Sequence, residues 1–275
     1  MKHNRRHHHL FAVLPALLLI GLAASCSVKE DRTPCPCYLN VYLDENQIVP
    51  EDATISILGW NGSEVFRANA YVPDFSPYWV RGIHKGRFHF SAFRGIDKAK
   101  EEGHCVIIPF GEQSDSLYAS HTEVDATGEI AYAVISFRKQ FCTVHLDIQH
   151  LASEMPQFRF LVEGNTCGFD LLDFMAIPGP FRCEPVPRGG ARVIDFRIPR
   201  QKDDSMTVSL LMASENGSLE KTGAFPLGKY IVKAGYDWNA EELQDIYISI
   251  DLVLGQILIQ VEGWELGQTL LYYEQ

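Results

Sequence analysis

The chain contains two short segments with the same alternation of apolar and polar residues, and each segment begins with a cysteine. Residues 37–43 read CYLNVYL and residues 142–148 read CTVHLDI, so aliphatic side chains recur at every second position after the cysteine. A period of two places those side chains on one face of a β-strand. Each segment is therefore expected to be a strand that packs on a core with one face and meets solvent with the other.

The similarity between the two halves extends beyond these segments. Residues 53–62 and 157–166 have similar patterns, and 86–92 (GRFHFSA) resembles 228–234 (GKYIVKA). Three correspondences in the same order predict a duplicated domain. The alternative is that two unrelated sandwiches share the alternation common to all such strands.

The fold class predicted from these patterns is all-β. Many short strand candidates are separated by turn signals such as Asn61-Gly62, which is typical of sandwiches rather than of alternating strands and helices. The only helical signal is a short turn at 239–244. The further strand candidates are 64–71, 104–109, 115–121 and 129–137 in the first half, and 168–175, 191–198, 206–213, 245–252, 255–262 and 268–273 in the second.

Two tandem β-sandwich domains are expected from this distribution. The first would occupy 37–138 and the second 139–275, with a boundary near Arg138-Lys139 and no flexible linker. A proline-rich segment at 178–190 makes the second copy longer than the first.

The N-terminal region has the layout of a secretory signal peptide. Positive residues stand among the first six positions, an apolar segment follows at 10–21, and the small residues 23–25 directly precede Cys26. The apolar segment is too short for a stable spanning helix. We predict a lipoprotein signal peptide at 1–25, with Cys26 lipidated and anchored in the outer membrane. Lipoprotein maturation supplies more than one acyl chain, as a stable anchor requires.

An ordinary signal peptide cleaved nearby is the alternative, because Leu22 lies four residues before Cys26 where a lipobox usually has leucine three before it. The number of cysteines favours lipidation. The chain has seven cysteines, and lipidation of Cys26 leaves an even number that can pair in an oxidising compartment.

The residues that follow Cys26 form a short stalk at 26–36. Lys29, Glu30 and Asp31 resemble the charged export signal of surface lipoproteins in some Gram-negative anaerobes; alternatively, they form a solvated tether. The formal net charge is −11, and the signal peptide removes three positive residues and no acidic ones. Such an acidic chain repels phosphate backbones, so nucleic acid is not an expected partner.

No enzyme signature is present in the sequence. There is no G-x-S-x-G, no H-E-x-x-H, no phosphate loop and no dinucleotide fingerprint. The histidines that follow the signal peptide are scattered, so surface positions are expected for them. We predict that the protein is not an enzyme and that it has no cofactor and no metal site.

The six cysteines after Cys26 are interpreted as disulfide candidates. Cys35-Pro36-Cys37 lacks the C-x-x-C spacing of zinc ribbons and thioredoxin-like sites. Metal binding and redox activity are therefore weaker alternatives than disulfide formation for this pair. Cys105 and Cys142 are the suggested partners of this pair, and Cys167 would pair with Cys183. Six cysteines allow fifteen connectivities, so this assignment is only one of the possibilities.

Two further patterns could have surface roles. The tryptophans could form a sugar-binding platform, but one or two per sandwich is ordinary core content, which is the favoured interpretation; they are Trp60, Trp79, Trp238 and Trp264. Asp115-Ser116-Leu117 and Asp204-Ser205-Met206 fit a tripeptide pattern used for O-glycosylation in the same bacterial group.

Four segments together resemble one family, the fimbrillin-A associated anchor proteins of the minor-fimbrium type, which are lipoproteins of Gram-negative anaerobes. They are 26–43 (CSVKEDRTPCPCYLNVYL), 137–148 (FRKQFCTVHLDI), 225–238 (FPLGKYIVKAGYDW) and 245–265 (DIYISIDLVLGQILIQVEGWE). The resemblance covers essentially the whole chain after the signal peptide.

This resemblance implies two transthyretin-like Greek-key sandwiches and a role at the base of a surface fimbrium. The anchor would tether the shaft to the outer membrane and bind a shaft subunit by β-strand addition. Because shaft subunits lose their first strand to a trypsin-like protease, an anchor must resist cleavage at Arg32. Residues 269–275 could be a donor strand or the last strand of the second sandwich, which is favoured. The alternative function is that of a surface glycan-binding or adhesin lipoprotein.

Overall fold

A computed structural model describes residues 32, 35–149, 158–185, 193–214, 217–251, 256–261 and 269–272. These residues form nineteen strands and one α-helix, so the all-β prediction is confirmed. The lipidation site at Cys26 and the export signal at 29–31 lie outside the described residues.

The first half contains ten strands and a 3-10 turn at Val72–Phe75. The strands are β1 (Cys37–Leu43), β2 (Thr54–Trp60), β3 (Glu64–Tyr71), β4 (Trp79–Ile83), β5 (Arg87–Arg94), β6 (Lys100–Glu102), β7 (Cys105–Ile107), β8 (Tyr118–Asp125), β9 (Ile130–Ile135) and β10 (Arg138–Lys139). Eight of them form two sheets with the orders β4-β1-β9 and β10-β8-β5-β2-β3. The two sheets enclose a core that includes Leu39, Ile57 and Phe90.

The second half repeats this arrangement with additions. Its elements are β11 (Phe141–Gln149), β12 (Phe158–Asp170), β13 (Met175–Cys183), β14 (Val193–Pro199), β15 (Thr207–Ala213), β16 (Leu219–Phe225), α1 (Leu227–Lys233), β17 (Ile246–Asp251), β18 (Gln256–Val261) and β19 (Thr269–Tyr272). The sheet orders are β14-β11-β17-β18-β19 and β16-β15-β12-β7-β6, and β13 pairs with β12. The predicted last strand at 269–275 is therefore present as β19, paired antiparallel with β18.

The strand pairings reveal the duplication. β1 lies between an antiparallel neighbour, β4, and a parallel neighbour, β9. β11 lies in the same way between antiparallel β14 and parallel β17. The β2–β3 pair corresponds to β12–β13, and β5 next to β2 corresponds to β15 next to β12. Two of the three sequence correspondences are thus confirmed.

The third correspondence is wrong, because residues 228–234 lie in a helix and not in a strand. The counterpart of β5 is β15. Pro226 lacks the N–H that would continue β16, and Leu227 and Ile231, four residues apart, are buried on one face of α1. The short helix predicted at 239–244 is also wrong, since this segment forms turns and bends.

A glycine ends helix α1 and explains part of the G-Y-D-W motif. Gly235 has φ +93°, a left-handed conformation that favours glycine. The N–H of Tyr236 donates to the carbonyl of Ile231 at 3.2 Å, and that of Gly235 donates to Val232 at 2.9 Å. These are the two bonds of a Schellman motif, which satisfies carbonyls at the end of a helix.

The two sandwiches are joined by a hairpin that the sequence division at 138/139 does not anticipate. β6 and β7 belong to the first half of the chain, yet β7 pairs antiparallel with the C-terminal end of β12. A separate core cluster lies at this junction, with Leu58, Phe93, Val106 and Phe169 among its buried members. We call it the seam cluster.

Among the described residues, no helix has the length and apolar character needed to cross a membrane.

Candidate functional site

The first strand is the centre of the candidate site. Cys37, Leu39 and Val41 are fully buried in the core of the first sandwich, and β1 has hydrogen-bonded neighbours on both sides. Removal of β1 would leave the facing edges of β4 and β9 without partners and would open the core between them. The fold of the first sandwich therefore depends on the presence of β1.

The segment before β1 is attached to the end of its sheet. Arg32 Nη1 donates to Glu129 Oε1 at 2.6 Å, just before β9 begins. The carbonyl of Arg32 accepts bonds from Lys85 Nζ at 2.7 Å and from the N–H of Cys35 at 3.0 Å. The hydrogen bond and charge of Arg32 lower the pKa of Glu129, and Glu129 raises the pKa of Arg32. Both the side chain and the carbonyl of Arg32 are thus hydrogen-bonded.

The outer face of the β4-β1-β9 sheet is apolar and aromatic. Exposed side chains follow one another across the strands: Tyr38 lies beside Ile130, and Asn40 lies between Val80 and Tyr132. We call this surface the aromatic face and define it by Tyr38, Tyr42, Tyr78, Val80, Ile130, Tyr132 and Val134.

The tyrosine rings of the aromatic face are close to one another. The ring centroids of Tyr42 and Tyr78 are 5.2 Å apart, and those of Tyr42 and Tyr132 are 6.4 Å apart. Tyr132 is 62% exposed and Val134 is 54% exposed. A contiguous exposed surface of this kind often marks an interaction site, and tyrosine offers both an apolar ring and a polar hydroxyl.

The aromatic face continues to an open sheet edge. In the described part of the chain, β9 has β1 as its only sheet neighbour. Its counterpart β17 carries β18 on the equivalent side, with Ile246 opposite Val261 and Asp251 opposite Gln256. In the second sandwich, β18 occupies the position beside β17. The equivalent position beside β9 in the first sandwich is open in the described part of the chain.

The backbone groups on this edge belong to alternate residues of β9. Tyr38 N–H donates to the carbonyl of Glu129, and Asp44 N–H donates to that of Ile135, so odd-numbered residues face β1. Since successive residues of a strand direct their polar groups to opposite sides, Ile130, Tyr132 and Val134 direct theirs toward the open edge. These groups are available to an added strand.

The tryptophans do not form a sugar-binding platform in the described structure. Trp238 is buried beside Tyr236 in the second core, as the core interpretation expected. Trp60 and Trp79 are half-buried against the seam cluster and the first core, respectively. Trp264 lies outside the described residues. The aromatic residues that do share a surface are tyrosines. The sequence signal for this surface was the position of Tyr38 and Tyr42 on the polar side of the 37–43 alternation.

The structure does not bring Cys167 and Cys183 together, as the suggested disulfide requires. Cys183 lies opposite Val162 in the β12–β13 pairing, five residues from Cys167. At about 3.3 Å per residue, this is roughly 16 Å along the strand. A disulfide needs Cα atoms within about 7 Å of each other.

The other suggested pairings are not formed in this structure, in which the six described cysteines are free thiols. Cys37 lies in the core of the first sandwich and Cys142 in that of the second, and Cys105 lies opposite Asp170. Burial raises the pKa of Cys142 and Cys183 to about 12, so both thiols are protonated at neutral pH. Cys35 is exposed.

The two glycosylation tripeptides differ in their surroundings. Asp115 is buried, and its Oδ2 accepts the backbone N–H groups of Asp97, Lys98 and Ala99 at 2.7–2.8 Å. This aspartate has a structural role in holding that loop. Ser205 is exposed whereas Ser116 is half-buried, so Ser205 is the more accessible of the two predicted acceptors.

No family model matches this sequence. No curated protein sequence matches it either.

Several solved structures match the fold over most of the chain. The fimbrial anchor protein Mfa2 of Porphyromonas gingivalis matches with a TM-score of 0.56 and 12% identity, over 86% of this chain and 100% of that one. A candidate adhesin of Bacteroides ovatus matches with a TM-score of 0.59 and 13% identity, over 91% and 100%.

A candidate polysaccharide-binding protein (DUF1812) of Bacteroides thetaiotaomicron matches with a TM-score of 0.59 and 12% identity, over 87% of this chain and 99% of that one. At such low identities the similarity concerns the fold. The resemblance of the sequence to fimbrial anchor proteins thus has a counterpart in three dimensions, and the chain has the two-sandwich fold of the fimbrial anchor Mfa2 and of these Bacteroides proteins.

Proposed function

We propose that this protein is the lipid-anchored base subunit of a cell-surface fimbrium. The acyl chains on Cys26 would hold it in the outer membrane, and the two sandwiches would connect the membrane to a fimbrial shaft subunit. The fold shared with Mfa2 and the signal peptide ending at Cys26 support this proposal. This proposed function does not require a catalytic site.

The observation that carries the proposal is the attachment of Arg32 to the first sheet. A subunit that transmits force from a membrane must keep the covalent link between its lipid and its folded domain. Trypsin-like cleavage after Arg32 requires a free guanidinium and an accessible carbonyl. Here the guanidinium binds Glu129 and the carbonyl accepts two hydrogen bonds, which favours retention of the stalk.

The open edge of β9 is the proposed contact with the shaft subunit. An extended segment from that subunit would pair with Ile130–Ile135 as β18 pairs with β17. Backbone hydrogen bonds would supply affinity, and the alternation of exposed side chains at positions 130, 132 and 134 would set the register. This proposal rests on the duplication within the chain.

A pull-down from detergent-solubilised outer membranes tests the proposed function. The tagged protein should co-purify with one fimbrial shaft subunit in amounts that decrease when β9 is altered. Recovery of the protein from the outer membrane without any fimbrial subunit would refute the base-subunit proposal.

A glycan-binding adhesin is the second candidate function, and the aromatic face favours it. Exposed tyrosine rings can stack on the apolar faces of sugars, and Asn40 at the centre could hydrogen-bond their hydroxyls. A glycan array distinguishes the two functions, because an adhesin should lose binding in Tyr38→Ala and Tyr132→Ala. A base subunit should show no glycan binding that depends on these tyrosines.

A further inference from the structure

Three side chains of different chemistry meet where the β6–β7 hairpin joins the second sandwich. His104 Nε2 lies 3.3 Å from Asp170 Oδ2, and Cys105 Sγ lies 3.8 Å from the same oxygen. The three ligand atoms all lie within 4.8 Å of one another. Sequence spacing could not reveal this cluster, since Asp170 is separated from Cys105 by 65 residues.

The backbone fixes the positions of these residues. Cys105 on β7 stands directly opposite Asp170 on β12. The N–H of Leu171 donates to the carbonyl of His104 at 3.0 Å, which continues the pairing by one step. Arg67 Nη2 donates to the carbonyl of Gly103 at 2.7 Å and so holds the turn of the hairpin. The cluster therefore belongs to ordered sheet structure.

Neighbouring groups orient the carboxylate and the imidazole. Asp170 Oδ1 accepts the backbone N–H groups of Leu172 and Asp173 at 2.8 and 3.0 Å, which leaves Oδ2 directed at His104 and Cys105. The ring of Trp60 packs against that of His104 with centroids 4.9 Å apart. Outer contacts of this kind orient the ligands of metal sites.

The two distances from Asp170 Oδ2 to the other ligand atoms agree with the geometry of a tetrahedral zinc ion. Zinc binds imidazole nitrogen and carboxylate oxygen at about 2.0–2.2 Å and thiolate sulfur at about 2.3 Å, so its ligand atoms stand about 3.3–3.8 Å apart. The two distances to Asp170 Oδ2 lie in this range. A thiolate, an imidazole and a carboxylate form a set that suits zinc and not calcium or magnesium, which take oxygen ligands.

Without a metal ion, the Cys105 thiol is only weakly hydrogen-bonded within the cluster. The thiol of Cys105 makes only a long S–H···O contact of 3.8 Å with Asp170 Oδ2. Zinc binding would release the thiol proton to solvent, and the ion would neutralise the thiolate and the carboxylate.

We propose that His104, Cys105 and Asp170 bind a zinc ion, with water in the fourth position, and that this ion joins the β6–β7 hairpin to the second sandwich. Because the ligands come from both halves of the chain, the ion would stabilise the seam between the sandwiches. The site is independent of the proposed fimbrial function.

Cobalt substitution tests the site on the mature chain, purified in detergent with its thiols reduced. Added Co²⁺ should produce the visible bands of tetrahedral cobalt and a thiolate-to-cobalt charge-transfer band, and Zn²⁺ should displace both. Cys105→Ser should abolish the charge-transfer band, and His104→Gln should weaken binding by at least about tenfold. Zn²⁺ should raise the Tm of the wild-type chain and not that of Cys105→Ser.

Two variants serve as matched controls. His145 Nδ1 lies 2.8 Å from Asp195 Oδ1, which gives a histidine–aspartate pair on another strand, and Cys35 supplies an exposed thiol. His145→Gln and Cys35→Ser should bind Co²⁺ like the wild type. The proposal is overturned if the charge-transfer band is absent from the wild type, persists in Cys105→Ser, or disappears in Cys35→Ser.

Discussion

Arg32 and Glu129 form an ion pair 2.6 Å long that connects the stalk to the edge of the first sheet. The pair joins residues 97 positions apart, and Lys85 reinforces it by binding the carbonyl of Arg32. Under the proposed function, this is the site at which a trypsin-like protease would separate the lipid from the sandwich, and in the structure it is held against the folded domain. We therefore expect cleavage at Arg32 to depend on residues of that domain.

Glu129→Ala should increase cleavage after Arg32 by trypsin. The substitution removes the Glu129 carboxylate from the guanidinium that must enter the specificity pocket of the protease. The effect should be only severalfold because both side chains are exposed. Limited proteolysis followed by mass spectrometry of the new N-terminus measures it. Glu51→Ala, on an exposed turn, is the control and should cleave like the wild type. Equal rates in all three proteins would contradict the protective role of Glu129.

Tyr132→Pro should abolish the proposed strand addition while Tyr132→Ala retains it. Proline removes the N–H that faces the open edge of β9, and alanine removes only the ring. Neither variant removes a hydrogen bond to β1, because odd-numbered residues make those bonds. Binding of the shaft subunit to each variant is measured after circular dichroism has established that both are folded. Loss of binding in both variants would assign the contact to the aromatic face instead.

Phe93→Ala should strongly destabilise the junction of the two sandwiches. The side chain is 1% exposed within the seam cluster, and its truncation leaves a cavity. We expect a loss of about 3–5 kcal/mol in the free energy of unfolding, measured in urea. Phe110→Ala is the matched control, since that ring is 67% exposed and should cost less than about 0.5 kcal/mol.

The sequence predicts those parts of the fold that depend on local alternation. The alternation of apolar and polar residues predicts strands β1 and β11. The duplication predicts that they occupy equivalent positions in the two sheets. The strand predicted at 228–234 is wrong because Gly228 and Tyr230 match Gly86 and Phe88, at the start of β5, only in residue type. Its conformation is decided by Pro226 before it and by close packing, since a Cβ on Gly228 would lie 2.5 Å from the carbonyl oxygen of Asp204.

The features that could not be predicted from the sequence depend on pairing between strands that are far apart along the chain. The sequence of residues 100–107 does not indicate that β6 and β7 join the sheet of the second half. Their position depends on the pairing of β7 with β12, which is distant in sequence. The His104, Cys105 and Asp170 cluster follows from the same pairing. The aromatic face could have been predicted in part, since Tyr38 and Tyr42 occupy the solvent side of β1, but its extension to Tyr132 needed the parallel pairing with β9.

Stability should decrease at alkaline pH because of two buried thiols. The pKa of Cys142 and of Cys183 is raised from about 9 to about 12 in the folded state, so unfolding releases protons between these values. Below pH 9 both states are protonated and the free energy of unfolding is unaffected. Above it, each thiol should reduce that free energy by about 1.4 kcal/mol per pH unit.

Urea unfolding at pH 7 to 11 measures this slope. Cys142→Val keeps an apolar side chain in the core and removes one titrating group, so its slope should be smaller than that of the wild type. The pKa of Tyr236 is raised by burial and by Cys142. Loss of Cys142 lowers that pKa, so this second change can only make the slope of the variant smaller still. An identical slope in the variant would show that Cys142 is not responsible.

Cys26→Ala should release fimbriae from cells without unfolding the protein. If the acyl chains on Cys26 are the connection between shaft and membrane, the variant base subunit still binds the shaft but no longer holds it to the cell. Immunoblots of medium and membrane fractions should find both the variant and the shaft subunit in the medium. Ser27→Ala, at the next position, is the control and should leave fimbriae attached. Fimbriae that stay on cells carrying Cys26→Ala would mean that another component anchors the shaft, and the adhesin function would then be favoured.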